Sequence, residues 1–250
     1  MKKIILILIT SVSFLSCKKN QDTNSSSQNN NTSNLSIRFH HQIDGQDIEK
    51  NKLVYTNEAG NIYSVSLLKY YISDVLLIND LGEEFKLNNY DLINAFDTTG
   101  NFSSIEASNV PQGNYISMRF ALGIDSIRNH TGAQDGDLDP IHDMIWTWNI
   151  GYLFMKHEGY FLNTNGDTTR LEYHLGTDLA YTNITVPIDL KINSQNKVLN
   201  INFNLNSMYK SPMVDFNAKP IMHSLDANDF SIIYALKINS QIAFSFGGTN

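Results

Sequence analysis

From Leu35 onward, apolar and polar residues alternate with a period of two in segment after segment. Leu35, Ile37, Phe39 and His41 share one face, and Ser36, Arg38 and His40 the other. Ile116, Met118, Phe120 and Leu122 alternate with Ser117, Arg119 and Ala121. Ile184, Val186, Ile188, Leu190 and Ile192 alternate with Thr185, Pro187, Asp189 and Lys191. The cleanest run sets Leu199, Ile201, Phe203 and Leu205 against Asn200, Asn202, Asn204 and Asn206. Side chains of a strand point to opposite faces in turn, so each run predicts a strand with one buried face. Tyr70 to Ile78 and Glu84 to Leu87 flank Asn79-Asp80-Leu81-Gly82, which predicts a hairpin.

Helical periodicity is weak. Asp91 to Phe96 and Ser224 to Asn228 each have room for one short turn, and no window sustains a 3.6 period with caps. Short strands and Asn, Gly and Asp turns without alternating helices predict an all-β fold, an antiparallel β-sandwich with long connecting loops. A β-barrel is the second architecture this pattern admits. The span 35–250 suits one large domain.

The chain before that span is different. Residues 1–16 begin with Lys2 and Lys3 and continue into an apolar stretch from Ile4 to Leu15. That stretch is shorter than the ~20 apolar residues of a spanning helix, so it reads as a signal peptide. Cys17 follows Phe14-Leu15-Ser16 and is the protein's single cysteine. This placement predicts a lipidated N-terminus, with a free thiol and an intermolecular disulfide as the other readings. Residues 18–34 contain no apolar side chain and read, with Cys17, as a flexible tether. The expected setting is the cell envelope, with the domain lipid-anchored to the outer membrane or facing the periplasm or cell surface.

Composition narrows the function. The chain has 250 residues, 42% of them hydrophobic, enough for a core. Its 18 Lys and Arg face 25 Asp and Glu, a net charge of -7 that excludes a general nucleic-acid binder. One cysteine excludes cysteine-based zinc and iron–sulfur sites. No nucleophile elbow, zincin helix or phosphate-binding loop is present, so an enzyme is not expected.

Two segments carry candidate chemistry. In the loop from Gly123 to Pro140, Asp125, Asn129, Asp135, Asp137 and Asp139 offer hard oxygen donors suited to calcium. The competing reading is turn chemistry, in which these side chains bond nearby backbone amides. In Met144 to Phe154, Met144, Trp146, Trp148, Ile150, Tyr152 and Phe154 share one parity. They form either a core strand or the wall of a pocket, with Met144, Trp146 and Trp148 as its lining. The seven histidines include no H-x-H or i,i+4 pair.

Taken in order, several segments resemble the MbnP-like domain family, named for a periplasmic protein associated with methanobactin. These are Phe39-His40-His41, Tyr55 to Gly60, Leu68 to Val75, Val110 to Tyr115 and Gly123 to Ser126. Gly136 to Pro140, Met144 to Tyr152 and Tyr173 to Gly176 complete the set, and the block from Leu138 to Asn149 is the most specific. The resemblance implies an extracytoplasmic β-rich domain. Some members bind copper through histidines and a tryptophan oxidised to kynurenine by a dihaem, peroxidase-like partner. That branch has four cysteines, which this domain lacks. Imidazole is the soft or borderline ligand available here, and His41, His174 and His223 stand at strand or loop ends. They are the expected metal ligands, with copper the leading ion. A surface module that binds a ligand or partner without functional metal is the alternative.

Overall fold

In the computed structural model of the chain, residues 31–99, 103–147, 150–193 and 195–250 are described. The expected signal peptide, Cys17 and most of the tether, together with Trp148, lie outside them. Residues Asn31–Asn250 form one compact unit.

The first strands are β1 (Thr32–Ile43), β2 (Gln46–Asp47), β3 (Tyr55–Thr56), β4 (Ile62–Asn79) and β5 (Glu84–Lys86). Next come β6 (Tyr90–Asn94), β7 (Ser104–Pro111), β8 (Gly113–Leu122), β9 (Ile145–Thr147) and β10 (Gly151–Leu162). The last are β11 (Thr168–Gly176), β12 (Thr182–Ile192), β13 (Lys197–Asn204), β14 (Ile221–His223) and β15 (Phe244–Thr249). Among the described residues, three α-helices, α1 (Ser126–Asn129), α2 (Thr177–Ala180) and α3 (Phe230–Ala243), and four short 3-10 turns interrupt them.

The strands form two open sheets, as in a sandwich. The smaller runs β15-β13-β1-β2, with β7 also on β1; the larger runs β12-β8-β4-β10-β11-β14, with shorter strands on β4 and β10. Aromatic rings join the sheets. Phe39 and Phe203 of the small sheet meet Tyr70 of the large one at centroid distances of 6.2 and 5.1 Å. Leu199, Ile201, Phe203 and Leu205 are fully buried, as the alternation predicts, while Asn200, Asn202 and Asn204 are half-buried.

Several expectations need correction. The sheets are mixed, because β1 pairs with β13, and β11 with β14, in parallel. These partners are distant in sequence, so no hairpin dictates their direction. Strand β1 begins at Thr32, ahead of the apolar pattern, because Thr32 and Ser33 pair with Pro111 and Val110. Asp91 to Phe96 holds strand β6 rather than a turn of helix. Ile116 is 52% exposed although it continues the parity of Met118; Tyr115 is buried instead, because the β8 register shifts there. The 14-residue helix α3 was not predicted.

Candidate metal centre

The register of the large sheet builds a polar row on its outer face. Lys69 of β4 lies opposite Lys156 of β10, Lys156 opposite His174 of β11, and His174 opposite His223 of β14. Paired residues point to the same side, so four strands place these four side chains in line. Glu158 and Glu172, opposite each other, occupy the same face two residues along. The neighbouring row, Tyr70, Met155 and Leu175, has the other parity and is buried in the core.

Glu172, His174 and His223 converge. One ligand atom from each lies within 4.8 Å of the others, and among the described residues no other three His, Cys, Asp or Glu do so. The two imidazoles are nearly parallel, with centroids 5.0 Å apart and planes at 11°. Glu172 Oε1 lies 2.6 Å from His223 Nε2 and 3.5 Å from His174 Nδ1. Glu158 Oε1 lies 2.8 Å from His174 Nε2, which fixes that ring so that Nδ1 faces Glu172. Arg170 pairs with Glu172 Oε2 and leaves Oε1 for the histidines.

A folded-over segment covers the row. Lys69 Nζ donates to the His142 carbonyl, and Lys156 Nζ pairs with the Asp143 carboxylate. Beyond them the Trp146 ring stands 5.7 Å from His174 and 5.5 Å from His223. Gly176 permits this approach: a Cβ there would lie 2.7 Å from the Tyr152 carbonyl oxygen and 3.0 Å from Trp146 Nε1. Trp146 Nε1 is buried without a hydrogen-bond partner. Buried polar atoms normally have one, so an indole N–H directed at nothing is unusual.

Charge suits a ligand role. Burial holds the His174 imidazole below its ordinary pKa, and Lys156 adds to this, while the Glu158 and Glu172 carboxylates act against it. Burial pushes the Glu172 carboxyl up, but the His223 hydrogen bond and the His174 and Arg170 charges overcome this and leave it below its ordinary value. Neutral imidazole and ionised carboxylate are the metal-binding forms.

His41, the third expected ligand, is elsewhere. It extends from β1 toward the core, with Nε2 2.9 Å from the Tyr70 hydroxyl and its ring against Phe203. Tyr70 belongs to the inner row and His174 to the outer one, so the sheet itself separates His41 from the cluster. Met144 is fully buried in the core. The stretch around Trp146 is not one continuous strand: β9 and β10 pair antiparallel across a turn, with Gly151 at φ +107°. Tyr152 and Phe154 are therefore buried in the core while Trp146 reaches the outer face.

Most of the oxygen donors of the 123–140 loop accept from backbone amides, some within the loop and some beyond it. Asp125 accepts from the Ile127 and Arg128 amides and from the Tyr90 hydroxyl. Asp137 accepts from the Leu92 amide, Asp139 from the Ile141 amide, and Asn129 Oδ1 from the Tyr152 amide. Asp135 is exposed and makes no capping bond. Asp125 and Asp139 fit the turn-chemistry reading, while Asp137 and Asn129 reach amides of β6 and β10, outside the loop.

Sequence reasoning missed Glu172 and Glu158. The available signal was Glu172-Tyr173-His174, an acid and a histidine two apart on a strand and hence on one face.

Fold and site together define a mixed β-sandwich with a histidine–carboxylate cluster on the outer face of its larger sheet. The MbnP family model matches residues 32–224, and the chain belongs to that family. Among solved structures, MbnP from Methylosinus trichosporium is similar in fold, with a TM-score of 0.59 and 15% identity, covering 81% of this chain and 87% of that one. No curated protein matches the chain.

Proposed function

We propose that this protein is a cell-envelope lipoprotein that captures a soft or borderline transition metal, copper in the first instance, at Glu172, His174 and His223. The supporting observation is the convergence of two imidazoles and a carboxylate within 4.8 Å in a chain whose domain has no thiolate. Imidazole suits copper and zinc, and first-shell metal–nitrogen distances of ~2 Å need only a small inward movement of these groups. Glu158 acts behind His174 as an orienting carboxylate, and such outer partners are worth roughly 10–100-fold in affinity. Trp146 closes the site toward solvent. It is the tryptophan that lies beside both histidines, and in this reading it is the one a dihaem partner would oxidise.

The test is titration with copper(I) and copper(II) at neutral pH, followed by elemental analysis of protein purified from its own host. Replacing His174 or His223 by Ala should weaken binding by at least ~10-fold, and Glu158→Gln by ~10-fold or more. His41→Gln should leave binding unchanged. Equal, weak binding by wild type and His174→Ala would reject the metal reading.

A further inference from the structure

Helix α3 is apolar on both sides. Ile233, Leu236 and Ala243 are buried beneath it, yet Phe230, Tyr234, Ile238 and Ile242 are 48, 54, 54 and 58% exposed. These four are spaced by four residues and therefore form one continuous ridge along the helix. The remaining exposed positions of α3, Ser231 and Gln241, are uncharged. Its single charged residue, Lys237, donates to the Leu179 carbonyl at 3.0 Å. The ridge ends at Phe230 beside a shallow groove of about 460 Å³; Ile150, Leu179 and Leu225 line its apolar side, and His130 and Asp178, 3.1 Å apart, its polar side. Helix α3 and strand β15 follow the stretch that the family model matches.

We infer that this ridge and groove form a twofold interface with a second copy of the chain. A twofold contact uses the same patch on both copies, so the patch must be self-complementary. A ridge with a groove at its end meets that need, because each ridge can lie along the other helix and end in the other groove. Side chains spaced by four interdigitate in a common class of helix–helix packing, crossing at about 50°. The area is also adequate. The four ridge side chains and the half-exposed Leu225 offer on the order of 500 Å² of apolar surface, at about 200 Å² per large side chain. A standard interface buries ~800 Å² per partner, about 65% of it apolar in homodimers, which requires the same amount. Charge favours the ridge, since the copies are net acidic and the exposed side chains of α3 carry no charge.

The experiment uses residues 31–250, the compact unit that holds the whole described core and contains no cysteine. It is run with chelator present, so the result is independent of the metal proposal. Sedimentation velocity from micromolar to near-millimolar concentration should show a growing dimer fraction. Ile238→Lys and Tyr234→Glu should each weaken the dimer at least ~10-fold. Ile141→Lys, at a position 81% exposed away from α3, should not. A cysteine introduced by Ile238→Cys should oxidise to a covalent dimer faster than one introduced by Ile141→Cys, a readout that survives if the charged variants fail to fold. A wild type that stays monomeric throughout would overturn the inference. So would equal cross-linking at both positions, or a monomer that floats with phosphatidylcholine vesicles through the ridge.

Discussion

Two histidines outside the cluster show what burial does to a single side chain. His157 is fully buried, with Nδ1 2.6 Å from the Tyr209 hydroxyl and no partner on Nε2. Burial pushes its pKa down to about 3, and burial and the nearby His40 push His41 down to about 4. Both values lie below the ordinary 6.5, so the unfolded chain takes up protons first as pH falls. The stability these groups contribute is complete above pH ~6.5 and is lost progressively toward pH 4 and 3. Each lost proton linkage is worth up to ~1.4 kcal/mol per pH unit. Asp91 works with the opposite sign: burial raises it to about 6, so the stability it contributes at low pH is lost as pH rises through that value. Comparing wild type with single variants separates them. His157→Gln should flatten the fall in urea midpoint between pH 7 and pH 5, and an unchanged slope would contradict the assignment.

At the level of elements, strand parity decides which face a residue serves. The ladder that sends Tyr70, Met155 and Leu175 inward sends Lys69, Lys156 and His174 outward, and a slip of one residue would exchange core and site. On β13, parity supports a mutational contrast. Phe203 lies 4.7 Å from Phe244 and 5.1 Å from Tyr70 by ring centroid, so Phe203→Ala should cost ~3–5 kcal/mol in chemical denaturation. Asn202→Ala, one residue away on the half-buried face, should stay within ~0.5 kcal/mol. Strands were legible in the sequence wherever one face is buried and the other polar, as on β12 and β13. Helix α3 was not, because its ridge is as apolar as its buried face and leaves no contrast for a period to register. Its N-cap residue, Asp229, makes no capping bond from its side chain. His174 and His223 could be named from the sequence, but their meeting depends on the parallel pairing of β11 and β14, which no local pattern encodes. His41 was misassigned for a related reason: in-phase parity shows that a residue points inward, and here inward leads away from the site.

For the whole molecule, the proposed centre and the proposed interface are features of one sandwich, and the proposed lipid anchor would favour the interface. Tethering concentrates copies in two dimensions, so a modest contact along α3 could be populated without high affinity in solution. Among the described residues, no helix is long and apolar enough to cross a membrane. The proposed lipid anchor is Cys17, the cysteine that ends the N-terminal apolar stretch. Each buried acyl methylene adds ~0.8 kcal/mol of anchoring, and stable attachment takes more than one chain. Cys17→Ser should therefore move the protein from the membrane to the soluble fraction, or arrest it with its leader attached, and should remove the acyl mass from the N-terminus. Copper titration of the purified protein should not change with it, because every residue of the proposed site lies between 146 and 223. Unchanged fractionation and an unchanged N-terminal mass would rule out the lipid anchor.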